Sequence, residues 1–274
     1  MIYNRPLSIQ LSNDEYLKDY IDLEEVKKHF FNLGAGNWQH PCWNNIDLPP
    51  QTPEFAAIQS PCIYHDFVNE KSLPISSNSV DAFYCSHVVE HITNDANTNL
   101  FKEVFRCLKP GGVFRIVTGP CADLDWNAIL RKDENWWYFY DEPGFINSVL
   151  KNSSRMTIYD KWLYHIATPK SIFSNTKSKI KYTSNEIELL VNNNLTSREQ
   201  LYDYLTNDIP FDIDSPGNHI CWWNFEKLKK FLEDSGFKTI IKSGFGQSSS
   251  YFMRDLNYFD LTYPQISVYI EAFK

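Results

Sequence analysis

Apolar and polar positions fall into short blocks that read as alternating strands and helices. Phe30-Phe31-Asn32-Leu33 is a compact apolar run that stops at Gly34-Ala35-Gly36, the pattern of a buried strand entering a tight turn. A second short apolar run ends at Asp47, and a third, Ile63 to Phe67, carries Asp66 near its end. Val80 to Cys85 predicts another strand, followed by Ser86 and His87. A helical stretch from Asn99 to Leu108, the turn Lys109-Pro110-Gly111-Gly112 and a strand from Val113 to Val117 come next. Strands that alternate with helical patterns predict an α/β domain built on parallel pairing.

The flanking regions extend the pattern and then interrupt it. Between residues 14 and 28, Tyr16, Leu17, Tyr20, Ile21, Leu23 and Val26 recur at helical spacing among acids and lysines, which predicts a capping helix. From about 120 to 218 the alternation stops, and the segment is rich in Asn, Ser, Lys and aromatics, with Trp126, Trp136, Trp137, Tyr138, Phe139 and Tyr140 near its start. An inserted, mainly helical cap over 120–218 within a single 1–274 domain is the expected organisation. The pattern resumes at Asn224 with an apolar stripe of Phe225, Leu228, Phe231 and Leu232. Gly236 is placed to end that helix, Thr239 to Ile241 reads as a strand, and Ile266 to Ala272 alternates as a last one.

Composition narrows the class. A chain of 274 residues that is 43% hydrophobic and 16% aromatic has enough apolar surface for a substantial core. Its net charge of −8 and pI near 5.4 supply no basic stripe, so nucleic acid is not expected as a partner. Cys42, Cys62, Cys85, Cys107, Cys121 and Cys221 are scattered without a C-x-x-C pair, which suits reduced buried thiols and a cytoplasmic location. No apolar stretch approaches about 18 residues, so membrane insertion is not expected.

The glycine turn and Asp47 form the layout of a nucleotide-type cofactor site. Glycine lets the chain turn sharply at a strand end and lets a ligand touch its backbone, and the acid is placed to accept from a ribose diol. A dinucleotide fingerprint needs a third glycine, but Gln39 holds that place, and positions 37 to 46, which include Pro41, leave little room for a phosphate-cradling helix. A cofactor with ribose and adenine but no pyrophosphate fits better, and S-adenosylmethionine meets that description.

The segments LGAG, NNIDL, HDF with LPI, NSVDAFYCSHVVEH and FRCLKPGGVFRIVT, in this order over residues 29 to 120, resemble the class I S-adenosylmethionine-dependent methyltransferases of the type 11 group. The resemblance implies a Rossmann-like, doubly wound mixed sheet and the cofactor S-adenosyl-L-methionine, with S-adenosyl-L-homocysteine as product. It also implies that Leu33, Gly34, Ala35 and Gly36 lie along the methionine part and ribose. Asp47 would bind the ribose hydroxyls, Asp66 and Phe67 the adenine, and Ser86 and His87 would sit where the fourth strand ends against the cofactor. The family's first helix after the glycine turn has no counterpart, so contacts from its start are not expected.

His87-Val88-Val89-Glu90-His91 also matches H-x-x-E-H, the inverted zinc-protease motif, in which two histidines on one helix bind zinc. His87 follows a predicted strand, and no second motif places a third ligand, so no metal is expected. A general base serves only a hydroxyl or ammonium acceptor, and His87, His91 and Asp123 are the candidates, with Asp125 and His219 also at suitable places beyond strand ends. The expected activity is methyl transfer to a small polar acceptor, first an O-acceptor in a sugar or glycan precursor. An amine or phosphorylated metabolite is the alternative, and a non-catalytic cofactor binder is a second class.

Overall fold

The computed structural model describes residues 19–20, 22–140, 156–176, 178–193 and 197–274. They divide into two compact units, one made of the described residues up to Val89 with Asn94–Gly119 and Phe225–Lys274, the other of Glu90–Thr93 with the described residues between Pro120 and Asn224.

The first unit holds a seven-stranded sheet of β1 (Phe30–Leu33), β2 (Asn44–Asp47), β3 (Ile63–Tyr64), β4 (Val80–Ser86), β5 (Leu108–Thr118), β6 (Thr239–Ser243) and β7 (Val268–Phe273). Its order is β3-β2-β1-β4-β5-β7-β6, parallel from β3 through β5, with β7 antiparallel to both β5 and β6. The central strands are buried on both faces, as parallel strands covered by helices must be. The edge strand β3 is exposed, and Lys242 stands on the other edge strand, β6, where a charge discourages further pairing.

Several elements differ from the expected ones, each for a local reason. The helix before β5 spans Asn94–Cys107, starting five residues early, because Asn97 lies on its buried face and donates from Nδ2 to Val89 O at 2.8 Å. A polar residue in that stripe hides the first turn from hydrophobic periodicity. The glycine turn at 109–112 is absorbed into β5: Leu108 pairs with Val80, the register then shifts, and Val113 pairs with Ala82. Gly111 takes φ +83 at this irregularity, which a residue with a Cβ adopts at a cost. Strand β3 stops at Tyr64 because the chain bends into a turn at Asp66, whose Oδ1 accepts from the amides of Val68 and Asn69 at 2.8 and 3.1 Å. Of the capping helix expected over 14–28, the described residues contain Leu23–Val26, N-capped by Asp22, while residues 14–18 and 21 lie outside them. The Phe225–Asp234 helix ends as expected, with Gly236 at φ +113 and Phe237 N bonded to Leu232 O at 3.1 Å.

One face of the sheet packs Phe30, Ala82, Tyr84, Val117 and Tyr269 with Trp43, Met253 and Phe259. Arg115 projects into this face fully buried. Its guanidinium donates to Asp260 at 2.6 and 3.1 Å and to Glu271 at 3.1 Å, and Glu271 is its register partner on β7. Ser243 Oγ and Gly244 O accept its remaining protons at 3.0 Å, so the charge is paired and its donors are used.

The second unit is helical. Thr157, Ser197 and Thr183 open the helices Ile158–Ile166, Arg198–Thr206 and Ser184–Val191 with capping boxes, their N3 partners being Asp160, Gln200 and Glu186. Trp137, Trp162, Tyr202, Ile187 and Leu205 form its core. Trp137 is therefore a core residue, and Trp126 and Trp136 pack half-buried against the same core. The side chain of Tyr140 lies outside the described residues.

Candidate active site

In the first unit, four strands present their carboxyl ends around the glycine turn. The order places β1 between β2 and β4, so the sequence of strand addition switches sides between β1 and β4, the point where open α/β sheets leave a crevice. Leu33 is buried at the end of β1, and Gly34 follows at φ +85 with its amide donating to Ile46 O at 2.8 Å. A Cβ on Gly34 would lie 2.2 Å from Val88 Cγ2, so this glycine is demanded by packing as well as by φ. Gly36, at φ +47, differs: a Cβ there would meet nothing within 4 Å, and its backbone borders open space.

Asp47 ends β2 and holds the turn. Its Oδ2 accepts from Ala35 N at 2.8 Å and Gly36 N at 3.1 Å, and its Oδ1 accepts from Leu48 N at 2.8 Å. A carboxylate has about four lone-pair directions, so Oδ1 keeps capacity for one more donor. Asp66 is engaged by its own turn, with Asn69 Nδ2 donating to Oδ2 at 2.7 Å. Burial raises its pKa, but the Asn69 side chain and the two turn amides outweigh that and hold it below the ordinary carboxylate value. Phe67 is buried beside the His65 ring.

Ser86 closes β4 with a buried hydroxyl, and His87 turns away at φ +54. The His87 amide bonds Val117 O at 2.8 Å, and Nε2 lies 3.0 Å from both Thr262 O and Ser267 Oγ. A carbonyl accepts only, so Nε2 carries the proton. His87 is thereby anchored to the segment before β7 and does not share a helix with His91, the arrangement that the inverted motif requires.

The second unit gathers a different set. Glu90, His91 and His219 each offer one ligating atom, and these atoms lie within 4.8 Å of one another. His91 Nδ1 is 3.1 Å from Asn218 O, and His219 Nδ1 contacts His165 O, so both rings carry a proton on Nδ1. Burial, with His91 and His165 nearby, pushes the pKa of His219 down to about 3, and it is neutral at physiological pH. Behind it, buried His165 bonds the buried Asp125 carboxylate at 2.8 Å, and Trp136 Nε1 donates to the other Asp125 oxygen at 2.8 Å. Asp123, a candidate base, is bridged to Arg198 at 2.7 Å and accepts from Asn224 at 3.0 Å.

Residues 47–116 match the family model described as a methyltransferase domain, of type 11. Over that segment the chain is similar to the type 11 methyltransferases. No curated protein matches it by sequence. Among solved structures, it is similar to the methyltransferase SibL at 10% identity and a TM-score of 0.40, over 97% of this chain and 55% of that one. It is also similar to a possible histamine N-methyltransferase of Thermotoga maritima at 12% identity and 0.40, over 94% and 89%. A Mesorhizobium loti methyltransferase gives 14% and 0.39, over 91% and 93%. At these scores the likeness carries no argument about activity.

The turn fits a cofactor without a pyrophosphate, such as S-adenosylmethionine. Residues 37 to 43 contain no helix, so no helix N-terminus follows the glycines to hold phosphates, while Gly36 leaves open space beside the Asp47 carboxylate. The sequence-predicted cofactor residues Leu33 to Gly36, Asp47, Asp66, Phe67, Ser86 and His87 all belong to the first unit. Of the candidate bases, His91 joins His219 in the second unit, and His87 does not belong to that unit. His165 was missed. It stands in an apolar helix far along the chain from both His91 and His219, and no local spacing relates the three.

Proposed function

We propose that the enzyme methylates an oxygen of a small polar acceptor, first a sugar or glycan precursor, and that the second unit binds this acceptor. The observation that carries the reading is the cluster of Glu90, His91 and His219, each of which offers one polar atom within 4.8 Å of the others. An amine acceptor can present its own lone pair, whereas a hydroxyl must lose a proton, and that group is suited to assist. A cleft of about 640 Å³ in the same unit supports a small polar ligand. It is lined by Lys170, Lys179, Asp208 and Asn218, and Asn218 is the residue whose carbonyl orients His91.

On this reading the acceptor oxygen attacks the sulfonium methyl in line. An O–C bond forms, the C–S bond breaks with its electron pair passing to sulfur, and the hydroxyl proton leaves through the Glu90 group. Positioning supplies much of the acceleration, since the sulfonium is already activated. We take Leu33 to Gly36 to border the methionine and ribose, Asp47 to accept from the ribose through Oδ1, and Phe67 with Asp66 to meet the adenine. The six free cysteines, five of them buried, are in keeping with a cytoplasmic enzyme. Among the described residues, no helix is long and apolar enough to cross a membrane. Incubation with methyl-labelled S-adenosylmethionine and separate pools of nucleotide sugars, free glycans, amines and phosphorylated metabolites tests the reading. Label in an O-methylated sugar supports it, and label only in the amine pool overturns it.

A further inference from the structure

The sequence set a metal aside because H-x-x-E-H offered no third ligand, and the fold supplies one in His219. We propose that Glu90, His91 and His219 form a divalent-cation site. The carboxylate and the two Nε2 atoms are the ligands, and the remaining positions are open to water or an acceptor oxygen.

The geometry and the donor set both support this. Glu90 Oε1 is 3.9 Å from His91 Nε2, and one ligating atom from each of Glu90, His91 and His219 falls within 4.8 Å of the others. Ligands about 2.0 to 2.2 Å from a common ion stand roughly 3 to 3.5 Å apart, so small side-chain rotations close the set. The rings are tilted by 46° at 4.9 Å rather than stacked, and each Nδ1 is held by a backbone carbonyl. That outer bond is what fixes the tautomer and direction of a ligating histidine. The backbone is tied as well, since the amides of Ile220 and Cys221 both donate to Glu90 O, at 2.9 and 3.1 Å. Segments distant in sequence are thus locked where the ligands converge. Two imidazoles and one carboxylate form a donor set for a cation of the Mn²⁺ to Zn²⁺ series rather than for Ca²⁺, which takes oxygen. Glu90 is buried while both histidines are partly accessible, which leaves a side for an exchangeable ligand.

The role assigned to the ion rests on the acceptor reading above. With Glu90, His91 and His219 ligating the ion, a hydroxyl bound there would give its proton to solvent in place of these side chains, as metal-bound water does at a pKa of about 7, and the resulting alkoxide would be the nucleophile.

The full chain, stripped with EDTA and dialysed, is titrated with MnCl₂ and followed by electron paramagnetic resonance. One Mn²⁺ should bind per chain, with pulsed spectra showing coupling to directly bound imidazole nitrogen, and Zn²⁺ should displace it. His91→Gln and His219→Gln should each weaken binding tenfold or more, while His29→Gln should leave it unchanged. The wild-type nitrogen coupling stands whether or not a variant folds. Absence of stoichiometric Mn²⁺, Mn²⁺ bound without nitrogen coupling, or unchanged binding in a folded His219→Gln protein would overturn the site. These readouts need neither cofactor nor acceptor, so the two readings fail separately. Bound Mn²⁺ with no O-methyl product sinks the acceptor reading alone, and O-methyl transfer by a chain that binds no cation sinks the metal site alone.

Discussion

Asp47 Oδ2 lies 2.8 Å from the Ala35 amide, so the acid at the end of β2 shapes the glycine turn as well as facing the space beside it. Asp47→Ala therefore removes a brace and, on the proposed reading, a ribose acceptor. Charge-assisted hydrogen bonds contribute about 1.5 to 3 kcal/mol, so affinity for S-adenosylhomocysteine should fall roughly 10- to 100-fold in a folded protein. Asp47→Asn, which keeps one accepting oxygen, should lose less. Calorimetry decides it, and unchanged affinity in both variants would mean that the carboxylate serves the turn alone.

Gly34→Ala combines two faults, a φ of +85 and a Cβ only 2.2 Å from Val88 Cγ2. Ala at positive φ destabilises by about 1 kcal/mol or more before any clash is counted. The variant should melt several degrees lower and bind the cofactor weakly. Gly36→Asn, where the space is open and the backbone left-handed, should fold nearly as well as wild type. Equal destabilisation of the two variants would contradict the distinction.

Arg115 and Asp260 form a buried pair at 2.6 Å inside the sheet's aromatic face. Asp260→Ala strands a buried guanidinium and should cost about 3 to 5 kcal/mol, or roughly 6 to 20 °C in Tm. Thermal denaturation measures it, and a loss below about 1 kcal/mol would show that Glu271 alone suffices to hold the charge.

Much of the sheet was legible because buried parallel strands are short apolar runs bounded by turns, and β1, β4 and the Phe225–Asp234 helix follow their patterns closely. Boundaries failed where a polar residue lay on a buried face, as Asn97 does, or where glycines made a bulge instead of a turn, as at Gly111. The Arg115 network was invisible, since Asp260 reaches it from a loop far along the chain. The same holds for the candidate site. Glu90-His91 stands out in sequence, but His219 and the His165–Asp125 pair behind it are related only through the fold.

His40 gives a pH signature. Burial lowers its pKa to about 4, against an opposing pull from Asp255, and its Nδ1 accepts from Cys42 N at 3.1 Å, a bond that protonation breaks. The unfolded chain binds this proton below about pH 6.5, while the folded chain binds it only near pH 4. Stability is therefore full above pH 6.5 and should fall as the pH drops toward 4, by at most about 1.4 kcal/mol per pH unit from this group. Denaturant titrations of wild type and His40→Gln should show a shallower slope in the variant, and identical slopes would contradict the assignment.

The most direct measurement is product analysis after incubation with S-adenosylmethionine labelled in its methyl group and a pool of sugars and nucleotide sugars. Label should appear on an oxygen of a small acceptor, with one equivalent of S-adenosylhomocysteine formed for each methyl transferred. A protein that binds S-adenosylhomocysteine tightly yet labels no small molecule from any pool would contradict the account.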